Sequence, residues 1–502
     1  MGAAAGPASA VEPVPGRAYL IAVALAGLML ISALLNLQPT YVIMAVCGGV
    51  VAFATVRWLT QWHVLVSSIM LIVLLVPIGR YGLPITLPFQ LEPYRLLVAI
   101  VAVLWITSLL AEPRAIRLIP SGLGGPMGAI WIGIAIGIAL NLPAIHERGV
   151  GMDVAKKISF FISYLVVMLL IGSALRTRAE LDRGLKVLVG GTAVVAFFAM
   201  VENKTGYNVF NHIHQVMPVF RFQQSGVPSF VEARGSGHRV YASAEHPIAL
   251  GAVLVMMLPV GVYVAWRHKS KLWWCAVALI GIAGMATVAR TAILMLFTQG
   301  LFLLAVRPQV FKRVWWMIPP FLVVVNLAVP ATFGTIKSSF FPEGGLIAQQ
   351  NTNYGGDSSN RISDIGPSFD EASKTPWFGQ GWGTRVPQKL DASKTRRILD
   401  DQWLTLLLEV GITGVLAWWW FFLRNVRLLA AAARGDNTEH GWLLAGLASA
   451  ILAFAIGMFT WDAFGFPQCT LMMFILAGVG IAARRLGPIT DEERAAGQAR
   501  PA

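Results

Sequence analysis

Three short stretches of this 502-residue sequence place charged or titratable side chains where an apolar chain has little use for them. The first is Met285-Ala-Thr-Val-Ala-Arg290-Thr-Ala-Ile-Leu294, which sets one guanidinium between two apolar runs. A charge near the bilayer centre costs about 2.5–3.5 kcal/mol on insertion scales. Two readings stand: Arg290 is a turn residue snorkelling to the headgroups, or it binds an anion in a cavity. Arginine suits a diphosphate because its fork is bidentate and its charge persists when buried. The second stretch runs from Arg234 through Gly-Ser-Gly-His-Arg239 to Glu245-His246-Pro247. Pro247 fits the start of a helix, whose first amides favour an anion. Arg234, Arg239, Glu245 and His246 are the candidates here. His212 and His214 are too weakly patterned for a metal and read as surface residues. The third stretch is Arg396-Arg-Ile-Leu-Asp400-Asp401-Gln-Trp-Leu, running on to Glu409, Gly411 and Gly414. Asp400 and Asp401 either cap a helix or act on a ligand. Glu409 lies inside an apolar helix, where an acid has a partner or a task. Gly411 and Gly414 permit close helix approach.

These residues need elements to hold them, and composition says which. The chain is 56% hydrophobic and 13% charged, with a mean hydropathy of +0.66. A soluble chain carries nearer a quarter charged residues, so lipid must be the solvent. The net charge of +14 has no basic stripe with interleaved aromatics, which excludes a nucleic-acid partner. Cys47, Cys275 and Cys469 sit in apolar runs without ligand spacing, which argues against a disulfide framework or metal site.

The expected fold is an all-α polytopic membrane protein of about fourteen spans, each long enough for a ~30 Å hydrocarbon core. The runs lie at 18–37, 41–57, 63–80, 94–111, 127–145, 158–175, 184–202, 247–266, 272–288, 291–306, 314–333, 403–423, 441–460 and 467–483. The stretch 272–306 is too long for one span and splits into a hairpin at Arg290. Arg114/Arg117, Arg176/Arg178/Arg183, Arg267/Lys269/Lys271, Arg307/Lys312/Arg313, Arg424/Arg427/Arg434 and Arg484/Arg485 then share one side. Short basic loops stay cytoplasmic, so both termini are expected inside a cell (inner or plasma) membrane, with the first span a retained anchor. Trp266, Trp273, Trp274, Trp315, Trp316 and Trp418–Trp420 flank those loops as an interfacial belt.

The expected organisation is a cytoplasmic tail (1–16), N-terminal spans (17–202), a catalytic region (203–425), C-terminal spans (426–485) and a tail (486–502). The catalytic region holds two long outer segments, 203–246 and 334–402. The stretch 333–402 has eight Lys/Arg and eight Asp/Glu, a balance expected of a segment folded over the membrane surface.

The three stretches in this order resemble the O-antigen ligase and Wzy-type polysaccharide polymerase superfamily. Arg239 through His246-Pro247 is similar to its outer-face Arg followed by (H/N)P before a helix. Ala289-Arg290-Thr291 is similar to its hairpin. Arg361 with Pro376-Trp-Phe-Gly-Gln-Gly-Trp-Gly383 resembles its long outer loop. Asp400-Asp-Gln-Trp-Leu404 with Glu409 and Gly411 to Gly414 resembles its next helix start. Asp400 stands where ligases of this family place a His, and Asp401 where they place Asn. The resemblance covers residues 200–425. It implies a metal-independent, inverting glycosyltransferase without cofactor, taking a glycan from a polyprenyl diphosphate to a glycan or lipid acceptor hydroxyl. Arg239 and Arg290, helped by Arg234 or Arg361, would stabilise the leaving diphosphate. Asp400 would be the base, partial burial raising its pKa, with His246 and Glu245 as alternates. A transporter or lipid-linked glycan flippase is the other reading. It would spread charge through the membrane depth, whereas the first seven spans are nearly charge-free and the polar residues gather at one face.

Overall fold

Every expected span that falls among the described residues is a helix. The structure, a computed structural model, describes residues 61–84, 91–111, 120–224, 237–309, 365–386 and 399–487, with a few isolated positions between them. The expected spans 18–37, 41–57 and 314–333 lie wholly or largely outside these residues. Two compact units divide the chain at 64/65, and nearly all described residues belong to the second.

Among the described residues, seven helices are long and apolar enough to cross a membrane. They are α2 (Pro93–Ala111), α4 (Gly151–Ala174), α5 (Arg178–Thr205), α6 (Pro247–His268), α10 (Gln402–Arg434), α11 (Glu439–Gly457) and α12 (Pro467–Leu486). Four shorter apolar helices join them: α1 (Trp62–Leu75), α3 (Gly124–Leu140), α7 (Lys271–Ala286) and α8 (Arg290–Val306). Among the remaining short helices, α9 (Ile365–Ala372) precedes the 376–384 segment. The chain is therefore helical, apolar and multi-pass. Only four two-residue strands interrupt the helices among the described residues, paired as Tyr81–Gly82 with Arg221–Phe222 and Ala233–Arg234 with Gly237–His238.

Local sequence explains the helix ends. Thr177 and Glu180 form a capping box at the start of α5, and Gly206 ends it in the left-handed region. The hairpin expected at Arg290 is present: α7 stops at Ala286, and Val288 takes a φ of 48° before α8 begins at Arg290 itself. Burial ranks the layers. In their apolar windows, α6, α11 and α12 are 83, 89 and 83% buried, whereas α2 is 28% buried. The first three are thus the centre and α2 is a lipid-facing flank.

The connectors sort to two ends. At one, Arg178 donates to the carbonyls of Leu486 and Gly487 (both 2.9 Å), Arg485 to Leu175, Arg484 to Ser121 (2.7 Å), Arg424 to Gly122 and Arg307 to Ala433. These are largely helix C-terminal carbonyls, which cations complement. Arg178, Arg307, Arg424, Arg484 and Arg485, from four of the basic loops that the charge pattern assigned to one side, thus meet at one end, while Arg114, Arg117, Lys312 and Arg313 lie outside the described residues. Within the expected tryptophan belt, Trp418 departs: it is buried at 1% exposure, while Trp419 and Trp420 are exposed. Position decides this, because Trp418 lies on the face of α10 that packs on Phe161, Phe421 and Phe464.

Two expected boundaries fall inside continuous helices, 202/203 in α5 and 425/426 in α10.

Candidate active site

The opposite end holds the turn from Arg239 to His246, fixed from below by two buried charges that the sequence reading passed over. Glu202, near the end of α5, accepts from the amides of Ala242 (2.8 Å) and Tyr241 (3.4 Å). Arg80, fully buried, donates to the carbonyls of Ala242 (2.9 Å) and Ala244 and to Asn211 Oδ1 (2.9 Å), with its guanidinium 4.7 Å from the Tyr241 ring centre. Ala242 sits between them at a φ of 43°, a conformation an alanine holds only when its surroundings impose it. The turn is preorganised.

Its last two residues divide the work. Glu245 points into the bundle, where its Oε1 accepts from the Gln468 amide (3.1 Å) and burial lifts its carboxyl to about 7. Gln468 in turn donates to Val73 (2.8 Å), Leu74 (3.3 Å) and Ser243 Oγ (3.2 Å), tying α1, the turn and α12 together. His246 caps α6, its Nδ1 accepting from the Ile248 amide at 3.2 Å. Burial, aided by the charge of Arg239, lowers His246 to about 4. The ring is therefore neutral at pH 7, and a neutral ring accepting at Nδ1 carries its proton on Nε2, as a donor.

Arg290 stands half-buried at the first position of α8. The next residue, Thr291, shares a hydroxyl hydrogen bond with Thr460 (2.7 Å), in the connector between α11 and α12. A side chain added at Gly251, one turn into α6, would meet Thr287 at 2.8 Å and Ala292 at 3.0 Å. The start of α8 therefore lies against both the start of α6 and the 458–466 connector.

That connector also receives the start of α10. The Gln402 amide donates to Met458 (2.9 Å) and Trp461 (3.2 Å), and its side chain accepts from Phe464 (2.7 Å). Asp401 is the cap, its Oδ1 accepting from Trp403 (2.8 Å) and Leu404 (3.1 Å). Asp400 is exposed, contrary to the partial burial expected of it. The cap lies one residue later, so Asp400 falls outside the helix and turns to solvent. A different carboxylate meets the expectation. Asp462, half-buried in the connector, is lifted to about 6 by burial; Lys157 pulls it back, while Glu409 and Asp400 push it up.

Glu409 is 2% exposed, and its partner is Lys157 of α4, Nζ to Oε1 at 2.9 Å. Two residues on, α10 breaks: Gly411 takes φ 66° and ψ −171°, which only glycine holds readily. The break frees two amides and two carbonyls in an apolar setting, and the 376–381 segment satisfies all four. Ile412 and Thr413 donate to Pro376 (2.8 Å) and Trp377 (3.2 Å), while Gln380 and Gly381 donate to Leu408 (2.8 Å) and Glu409 (2.9 Å). Irregular backbone is tolerated at membrane depth only with such compensation. The fit leaves no room for a Cβ, which at Gly411 would lie 2.4 Å from the Trp377 carbonyl and at Gly379 2.5 Å from that of Glu409. So this part of the long segment is not laid over the surface as expected; it is built into the bundle. Beyond it, buried Trp382 packs on Phe161, Trp418 and Phe464, and Arg385 pairs with Glu371 (3.1 Å).

Arg239, Glu245, His246, Arg290, Asp400, Asp401 and Glu409 thus share one end of the bundle. The backbone of Arg234 is in the short hairpin with Gly237, and Arg361 lies outside the described residues. The sequence reading missed Arg80, Lys157, Glu202 and Asp462. Two signals were there to be read: Arg80 and Lys157 fall on the side that the charge pattern expects to be outside, where short loops avoid cations, and Asp462 is a lone acid in the nine-residue connector 458–466.

Residues 275–419 match the Wzy_C family model, O-antigen ligase. That stretch is similar to the O-antigen ligase family. The matched stretch holds Arg290, the 376–384 insertion and the broken first half of α10. Arg239, His246, Lys157 and Asp462 come from outside the O-antigen ligase stretch and meet it in three dimensions. No curated protein matches the chain.

Proposed function

We propose that this protein is a cell-envelope glycan ligase or polymerase that moves a glycan from a polyprenyl diphosphate to an acceptor hydroxyl at the outer membrane face, without a metal ion. The observation that supports the reading is that the start of α8, which carries Arg290, lies against the start of α6 and against the 458–466 connector that also receives the α10 start, at the end of the bundle where the turn from Arg239 leads into α6. Arg290 occupies a helix N-terminus, where the helix field already disfavours a cation. A bound diphosphate would match that field in sign and receive bidentate hydrogen bonds from the guanidinium.

In the proposed step the acceptor oxygen bonds to the anomeric carbon from the face opposite the diphosphate. The bond from that carbon to the phosphate oxygen breaks, and the electron pair leaves on the diphosphate beside Arg239 and Arg290. The hydroxyl proton passes to a carboxylate. Asp462 is the first candidate, because it is half-buried in the connector and its pKa of about 6 lies near working pH. The Nε2–H of His246 would donate to the leaving group.

Reconstitution with a purified lipid-diphosphate glycan donor tests this. Transfer is expected to fall by about 10²–10³ in Arg290→Ala and Arg239→Ala, the range for loss of one preorganised donor. Full activity in both variants, with folding intact, sinks the site. Arg290→Lys retaining most activity would remove bidentate recognition while leaving the need for charge.

A further inference from the structure

The far end of α10, away from the proposed site, presents a second arrangement of charge and apolar surface. Leu416, Trp419, Trp420 and Leu423 are 62, 41, 46 and 46% exposed, whereas Trp418 and Phe422 on the opposite face are 1 and 3% exposed. Followed by Arg424 and Arg427, the exposed residues recur at intervals of three and four, so they form one stripe along the helix. The stripe lines a cavity of about 510 Å³ together with Leu428. From Leu416 to Arg427 it rises ~16 Å, close to the depth of one leaflet. The order along it is aliphatic, then indole, then guanidinium.

The polar end is built and not merely decorated. Arg424 Nε donates to the Gly122 carbonyl, and Arg484 of α12 donates to the adjacent Ser121 carbonyl at 2.7 Å. Two guanidinium groups are thereby held on neighbouring carbonyls, with Arg427 one turn further along α10. Trp420 packs on the first turn of α3, where a Cβ at Gly125 would lie 3.0 Å from its ring. The cavity lining holds two cations and no carboxylate.

We propose that this groove binds an anionic phospholipid of the surrounding bilayer, its phosphate between Arg424 and Arg427 and an acyl chain along Leu416, Trp419, Trp420 and Leu423. Charge complementarity selects the headgroup, since like charges held side by side are relieved by an anion. The lipid-facing apolar stripe selects an amphiphile over a free anion. Tryptophans at headgroup depth complete the match.

The test uses the purified full-length chain and native mass spectrometry of lipid retention, with phosphatidylglycerol, phosphatidylcholine and inorganic phosphate as probes. Wild type is expected to retain phosphatidylglycerol over phosphatidylcholine. Arg427→Gln should bind it about fivefold more weakly, matching the ~1 kcal/mol of one basic residue near an anionic surface. Arg424→Gln/Arg427→Gln should lose more. Should the double variant fail to fold, Leu416→Ser leaves both charges and is still expected to weaken lipid retention. Arg434→Gln, on the same helix outside the groove, should bind as wild type. Unchanged retention in Arg427→Gln and Leu416→Ser overturns the site. Equal retention of phosphatidylcholine overturns the charge selection, as does an equal loss in Arg434→Gln. Displacement by inorganic phosphate at matching concentration overturns the lipid in favour of a free anion.

Discussion

The two ends of the bundle use the same residue type in opposite electrostatic settings. At the basic end, Arg178 opens α5 much as Arg290 opens α8, yet its side chain reaches the last carbonyls of α12, and Arg485 reaches that of α4; there the helix field is negative and the cation stabilises the fold. At the site end, Arg290 opens α8, where the helix field is positive, and Arg239 stands in the turn seven residues before the His246 cap of α6. The same residue type is thus an internal cap at one end and a candidate ligand group at the other, and the groups that the guanidinium meets make the difference.

The sharpest break of this comparison pairs one arginine from each end. Arg290→Ala should lower the turnover rate by about 10²–10³ with the melting temperature unchanged or raised. Arg178→Ala should lower the melting temperature and leave turnover as it was. If both variants lose only stability, the two ends are alike and the contrast fails.

Next in size is the ion pair inside the site end. Lys157→Met leaves the Glu409 carboxylate buried without its cation. The cost should be about 2–3 kcal/mol, below that of a fully buried pair because the Lys157 head is partly hydrated. Thermal unfolding in detergent measures it, and adding Glu409→Leu should restore most of the loss. A double variant as unstable as the single one would mean that the pair has no shared energy.

A smaller effect follows from Asp462. A base must be ionised to accept a proton, so turnover should rise with pH and level off above an apparent pKa of about 6. Below that value the rate should drop about tenfold per pH unit. In Asp462→Asn the limb should vanish along with most activity; a persisting limb would move the base to Asp400. Glu245 has the opposite reading in stability. Its pKa is raised from 4.5 to about 7, so stability is greatest below pH 4.5, declines through the interval and levels above about 7. Glu245→Gln should flatten that decline.

The smallest expected change is at the α10 cap. Asp401→Ala should cost about 1 kcal/mol, the usual value of an N-cap, with turnover little altered. A loss of activity without loss of stability would return Asp401 to the ligand-binding set.

Helix positions, the hairpin at Arg290, the grouping of basic loops and the candidate status of Arg239 and Arg290 were all legible in the chain. Each rests on a local or periodic signal: apolar run length, loop charge, or one ion in an apolar stretch. The break at Gly411 was not legible as a break. A glycine inside an apolar run reads as a packing residue, and only the 376–381 segment, docked from far along the chain, shows why the helix stops there.

Asp462 was missed for a related reason. Its pKa is set by burial and by Lys157, Glu409 and Asp400, which come from two other parts of the chain, α4 and the start of α10. By itself, the sequence determined that this protein lives in lipid and which residues are expensive there, because transfer from water is a property of each side chain. Tertiary structure alone decided which of those residues are neighbours. It thereby separated the arginines whose side chains reach helix C-terminal carbonyls from those gathered at the site end, because the field at a charge depends on which helix end lies beneath it.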